Sequence, residues 1–133
     1  MFQHVPHTHI DIAWKDGASI LSKACERSGG EITGDQLKMM LSRNEYTLLC
    51  LPHEGGKAWV VVTVQQMPNL RALHVQAIHA PGATSTEAFR HLQAYARHNG
   101  CTVIRGACGP AVSKLWARKF NARPVYSVME IQA

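Results

Sequence analysis

The sequence predicts a single α/β domain with a central mixed sheet, in the element order β-α-α-β-β-β-α-β-α-β. Three observations predict it. Two helical stripes stand near the N-terminus, three β-rich runs joined by short turns fill the middle, and helix-then-strand alternation follows Thr84. The 133 residues fall within the usual range of one domain. No repeat, low-complexity segment or linker divides them, so residues 1–133 are read as one domain.

Phe2 to Val5 forms a short first strand, ended by Pro6. Thr8 is a good N-cap with Asp11 at N3, and Ile10, Ala13, Trp14, Gly17, Ile20, Leu21 and Ala24 recur at helical spacing. Gly29 and Gly30 stop that helix. Thr33 and Gln36 make a capping box for a second helix, with Leu37, Met40 and Leu41 as its buried stripe and Asn44 as a left-handed terminator.

Tyr46–Leu51 and Ala58–Val64 are apolar, β-branched runs joined by His53, Glu54, Gly55, Gly56 and Lys57, a hairpin signal. Met67, Pro68 and Asn69 make a second turn, and Leu70 to His79 is the third strand of an antiparallel meander. Thr84 and Glu87 form another capping box, followed by the apolar face Ala88, Phe89, Leu92, Tyr95 and Ala96, with Gly100 at the helix end. Cys101 to Ala107 reads as a strand expected to run parallel to the Leu70 strand. Pro110 opens the last helix after Gly109, Val112, Leu115, Trp116 and Phe120 form its face, and Asn121 ends it. Val125 to Ile131 is expected to close the chain as a strand.

Composition narrows the class. The apolar fraction of 46% and charged fraction of 17% describe an ordinary globular protein. No apolar run approaches the roughly 20 residues of a membrane helix, and the N-terminus lacks the layout of a signal peptide. The expected location is the cytoplasm. Cys25, Cys50, Cys101 and Cys108 form no Cys-x-x-Cys pair, which fits free thiols in a reducing compartment. The formal charge is +5, and positive residues are densest after Arg90. A solvated basic face, an anionic cofactor and nucleic acid all account for that balance.

Particular residues then carry a resemblance. Leu73 to Leu92 (LHVQAIHAPGATSTEAFRHL) resembles the strand, acyl-CoA loop and helix of the GNAT N-acetyltransferase superfamily, and Ala94 to Ile131 resembles that family's C-terminal half. The element order is also that family's. Gly29 to Leu37 resembles small GNAT-like proteins of tailed phages, some of which are internal virion proteins. The resemblance implies a GNAT-like single domain that binds acetyl-CoA through Ile78, Gly82, Ala83, Thr84 and Ser85, with the pyrophosphate at a helix start.

Departures from the family pattern qualify that expectation. The loop that usually reads Arg/Gln-x-x-Gly-x-Gly/Ala is here Ala80, Pro81, Gly82, Ala83, Thr84 and Ser85. One glycine remains, and Pro81 removes a backbone donor where phosphate needs donors. The tyrosine that usually protonates the departing thiolate falls on Ala117. Acetyl-CoA binding is therefore expected to be weak.

Amine acylation needs a base. His74, Gln76 and His79 lie near the sheet centre, and Gln76 cannot serve. Strict alternation puts His74 and Gln76 on one face and His79 on the other, beside the cofactor loop. His79 is thus the catalytic candidate, against the plainer reading of a strand-end histidine satisfied by backbone and water. His4, His7 and His9 read as surface histidines, because Pro6 and the helix start splay them, and no metal site is expected. Trp14, Trp59 and Trp116 read as core anchors, and Met39, Met40 and Met67 as packing.

The departures favour a phage-type accessory or virion-associated protein with a degenerate acyl-CoA site, acting by binding protein partners. The alternative is an active N-acetyltransferase that moves an acetyl group from acetyl-CoA to an amine. A third reading is a basic nucleic-acid-binding regulator.

Overall fold

A computed structural model describes residues 2–53, 56–81 and 85–133. Five strands, β1 (Gln3–Val5), β2 (Thr47–His53), β3 (Gly56–Met67), β4 (Leu70–His79) and β5 (Val103–Gly106), form one sheet in sequential order. The first four pair antiparallel and β5 runs parallel to β4, with Ala72 opposite Val103 and Val75 opposite Gly106. The expected mixed sheet and its parallel β5 are both present.

The helices divide between the two faces. On one side lie α1 (Ile10–Lys15), α2 (Ser22–Cys25) and α3 (Gly34–Ser42), where Ile10, Leu21, Leu37 and Leu41 bury against Leu48, Trp59, Val61 and Ala77. On the other, α4 (Ser85–His98) links β4 to β5, and its Ala88, Leu92 and Ala96 bury against Leu49, Val60, Val62, Leu73 and Val75. Two apolar layers on a two-sided sheet are what continuous runs such as Val60–Val61–Val62 require, because alternate residues feed alternate faces. The last helix is α5 (Pro110–Phe120), with Gly109 as N-cap and Pro110 at its start.

Several expected local signals hold. Thr33 Oγ1 accepts from the Gln36 amide at 3.2 Å and Gln36 Oε1 accepts from the Thr33 amide at 2.9 Å, completing the capping box. Asn44 (φ 61°) and Asn121 (φ 55°) adopt the left-handed conformation expected of them. The Thr84–Glu87 capping box falls partly on Thr84, which lies outside the described residues, as do Glu54 and Gly55 of the first hairpin.

Three expectations are corrected. The first long helix is broken: a 3-10 turn over His7–His9 precedes α1, and Gly17 at φ 127° interrupts the spiral before a second 3-10 turn at Ala18–Leu21. Thr8 therefore sits inside a turn rather than capping a helix. Gly17 breaks the spiral because only glycine takes that conformation cheaply, and an added Cβ there would lie 3.4 Å from Trp59 Nε1. Met39 is a second correction, since it is 48% exposed on α3 rather than packed.

The third concerns the expected closing strand. Residues 122–133 form no helix or strand, and exposure reaches 85% at Val128 and 92% at Ile131. The amide of Ala122 donates to the Trp116 carbonyl at 3.2 Å, a helix-closing bond that turns the chain at Asn121. Pro124 then enforces an extended exit, and from Arg123 onward every residue is exposed. An alternating apolar pattern becomes a strand only where it pairs with an edge, and residues 122–133 pair with none.

Candidate functional site

Strand β4 builds the site through one extra residue. Val61 pairs with Ala77 and Val62 with Val75, so Gln76 is left between two ladder positions as a β-bulge. Side chains on either side of a bulge lose their alternation. Val75 packs in the α4 layer and Ala77 in the α1–α3 layer, although they are two residues apart.

This corrects the expected orientation of the histidines. His79 is opposite Trp59, a residue of the α1–α3 layer, and His74 is opposite Thr63, whose neighbour Val62 faces α4. Both imidazoles therefore belong to the α1–α3 face, whereas uninterrupted alternation would have separated them.

The bulge also coincides with the end of sheet pairing on the other edge. Strand β5 stops at Gly106, opposite Val75. From Gln76 to His79, that edge of β4 has no strand partner among the described residues, and its backbone groups face a cleft of about 1000 Å³. His74, Gln76 and Ile78 line the cleft from β4, Cys108 and Trp116 from the far side, Met39 and Met40 from α3, and Tyr46 from the bend before β2.

Gly106 sets the position of the far wall. A Cβ there would lie 3.2 Å from Trp116 Cη2 and 3.5 Å from the Val75 carbonyl oxygen, so the bare backbone lets the indole close over β5. Trp116 also packs partly against the α4 core and meets Phe120 edge-on at 6.3 Å. The expected core anchor is thus also part of the cleft wall.

Burial shapes the chemistry of His74. Its imidazole is half-buried, and loss of hydration holds its pKa below the ordinary histidine value. A histidine held neutral at neutral pH keeps a lone pair free to accept a proton. His79 lies at the end of β4 and is not part of the cleft lining, while His74 and Gln76 are. Tyr46 and Cys108 were missed by sequence reasoning. Tyr46 was read only as the start of a strand, and the link to the cleft is tertiary.

Of the residues expected to bind the cofactor, Ile78 lines the cleft and Ser85 begins α4. Gly82, Ala83 and Thr84 lie outside the described residues. The fit with an extended acyl-CoA arm rests on the unpaired β4 edge, which presents strand donors and acceptors to a cleft open at the surface. Among the described residues no group of three or more His, Cys, Asp or Glu is placed to hold a metal ion, and no helix is long and apolar enough to cross a membrane.

No protein-family model matches the sequence, and none of the curated proteins does. Solved structures do match by shape. A ribosomal-protein-alanine N-acetyltransferase from Brucella melitensis biovar Abortus 2308 superposes with a TM-score of 0.67 at 13% identity, covering 100% of this chain and 99% of that one. A probable acetyltransferase gives 0.66 at 12% identity, with 100% and 96% covered. An aminoglycoside N-acetyltransferase solved in complex with CoA gives 0.65 at 9% identity, with 100% and 93% covered.

Proposed function

From the GNAT fold that these likenesses show, we propose that the protein is an acyl-CoA-dependent N-acyltransferase, transferring an acetyl group to an amine. The observation that carries the reading is the bulged, half-unpaired β4 with the neutral-leaning His74 in the adjoining cleft. Acetyl-CoA would supply the activated acyl group as a thioester. Ile78 and the backbone edge from Gln76 to His79 would hold its arm, and Ser85 at the start of α4 would stand beside its phosphates.

The chain's own residues then have separable tasks. His74 accepts the proton that a protonated or attacking amine must lose, directly or through water. Backbone donors on the open β4 edge polarise the acyl carbonyl as charge builds on its oxygen. Tyr46, a residue that lines the cleft, is the candidate to return a proton to the leaving thiolate, the task that Ala117 cannot perform. His79, on the same face at the strand end, is the second candidate base. Met39, Met40 and Trp116 give the acceptor region apolar side chains.

The partner-binding reading draws support from the exposed segment 122–133, and the phage resemblance rests on Gly29 to Leu37 alone. Calorimetric titration with acetyl-CoA tests the proposal. Saturable binding supports it, and the absence of any binding heat across temperatures argues for the partner-binding alternative.

A further inference from the structure

The charge of the cleft is confined to one short segment. Apart from the titratable His74, the only charged residues among its described lining are Arg27 and Glu31. Both come from the chain between α2 and α3, and Ile32 of that segment packs in the α1–α3 layer, the face to which His74 belongs. Neither enters an ion pair among the described residues.

The segment is held without them. The Ser28 hydroxyl donates to the Ile32 carbonyl at 3.2 Å and accepts from the Ile32 amide at 3.3 Å. Gly29 (φ 68°) and Gly30 (φ 83°) supply the left-handed turn that this clasp requires. Gln36, the next polar residue on the wall, accepts from the Thr33 amide through its Oε1. Other groups therefore shape the loop, and one cation and one anion are left facing the cleft.

Two opposite charges that do not pair with each other suit a ligand carrying both signs. A dicarboxylate or a polyamine would satisfy one of them and be repelled by the other. The head group of a free α-amino acid satisfies both, with its carboxylate on the Arg27 guanidinium and its ammonium on the Glu31 carboxylate. An ammonium held by a carboxylate is stabilised in its charged form and is no nucleophile. The nitrogen that reacts must then be a second one. Ile32, Met39 and Met40 line the same cleft and supply apolar surface for the methylenes between the two nitrogens.

We propose that the acceptor is a free diamino monocarboxylic acid of the lysine or ornithine type, bound through its zwitterionic head by Arg27 and Glu31 and acylated on its side-chain nitrogen. The inference rests on the acyl-transfer reading above. In the reaction the side-chain nitrogen bonds to the acetyl carbonyl carbon and the carbon–sulfur bond of the thioester breaks. One proton of the side-chain ammonium passes to His74 and a second to the leaving thiolate.

Acetyl transfer to free lysine, lysine amide, Nα-acetyl-lysine and cadaverine by the wild type, Arg27→Gln and Glu31→Gln tests the proposal, together with calorimetric titration of lysine into each protein. Both residues are exposed, so neither substitution removes packing. Lysine should give the highest kcat/KM, with the acetyl group on its side-chain nitrogen. Capping either end of the head should lower kcat/KM by about tenfold or more, the worth of a charge-assisted hydrogen bond. Arg27→Gln should erase the preference for lysine over its amide, and Glu31→Gln the preference over Nα-acetyl-lysine. Equal turnover of lysine and cadaverine, acetylation of the α-nitrogen, or preferences that survive both substitutions would overturn this inference and leave acyl transfer standing. Turnover of no amine would count against acyl transfer itself. Lysine binding that is lost in both variants would then still support the head-group site, and no lysine binding would overturn that too.

Discussion

Val75 and Ala77 stand two residues apart on one strand and face opposite sides of the sheet. Val75 is opposite Val62 in the α4 layer and Ala77 is opposite Val61 in the α1–α3 layer, with Gln76 bulged between them. The consequence reaches the candidate site. The bulge brings His74 and His79 to one face, and it lies where β5 ceases to pair.

Removing Gln76 should therefore be tolerated better than removing a regularly paired residue of the same strand, such as Leu73. Without Gln76, Val75 and Ala77 become neighbours opposite Val62 and Val61, and plain alternation leaves each in its present layer. Loss of Leu73 instead turns one part of β4 to the wrong face, and mispacking even one or two core side chains costs about 2–5 kcal/mol each. Urea denaturation of the two deletion variants compares them. A Gln76 deletion as damaging as the Leu73 deletion would contradict the bulge assignment.

The Gly106 position should be intolerant of a side chain. Gly106→Ala places a methyl group 3.2 Å from Trp116 Cη2, so the indole must give by a few tenths of an ångström. Overpacking of this sort costs about 1–3 kcal/mol. A shifted Trp116 should also change ligand affinity, since it lines the cleft. Chemical denaturation and titration of the same variant separate the two effects.

Thr33→Ala should cost about 1 kcal/mol by removing one of the reciprocal bonds at the start of α3. Gly34→Ala should cost more, because its Cβ would sit 2.6 Å from Ser22 Cβ and 3.2 Å from Ser22 Cα. The backbone contact means that shortening Ser22 cannot relieve it. Urea midpoints for the two variants, compared on one protein preparation, check the order.

His74 links stability to pH with a defined sign. Its folded-state pKa lies below the ordinary 6.5 because burial disfavours the charged ring. Its contribution is therefore present above pH 6.5 and is lost as pH falls from there toward the folded value. Replacing it, as in His74→Gln, should flatten that part of the stability profile. Unfolding free energies measured on either side of the window would show the difference.

Much of the fold was legible because local signals and packing agree. The capping box at Thr33, the left-handed stops at Asn44 and Asn121, and the Gly109–Pro110 start each encode a boundary within a few residues. The runs around Val61 announce a two-sided sheet. Two features were not legible for physical reasons. A bulge depends on how β4 is registered against β3, and nothing in Leu70–His79 itself marks Gln76 as the extra residue. Whether Val125–Ile131 pairs depends on tertiary contacts, so its strand pattern was visible while its unpaired state was not. The candidate site inherited the first difficulty: His79 was favoured by sequence distance to the loop, and the cleft lining holds His74 together with Tyr46, which precedes β2.

Acyl transfer in this cleft with His74 as its base is tested most directly by acetyl transfer from acetyl-CoA to a panel of amines by the wild type, His74→Ala and His79→Ala, followed across pH. Turnover by the wild type is expected, with an acidic limb below pH 6.5. Loss of the base should lower it by about 10²–10⁴-fold in His74→Ala, with most activity retained in His79→Ala. Transfer at the uncatalysed background in all three proteins, or wild-type activity that survives His74→Ala unchanged, would contradict it.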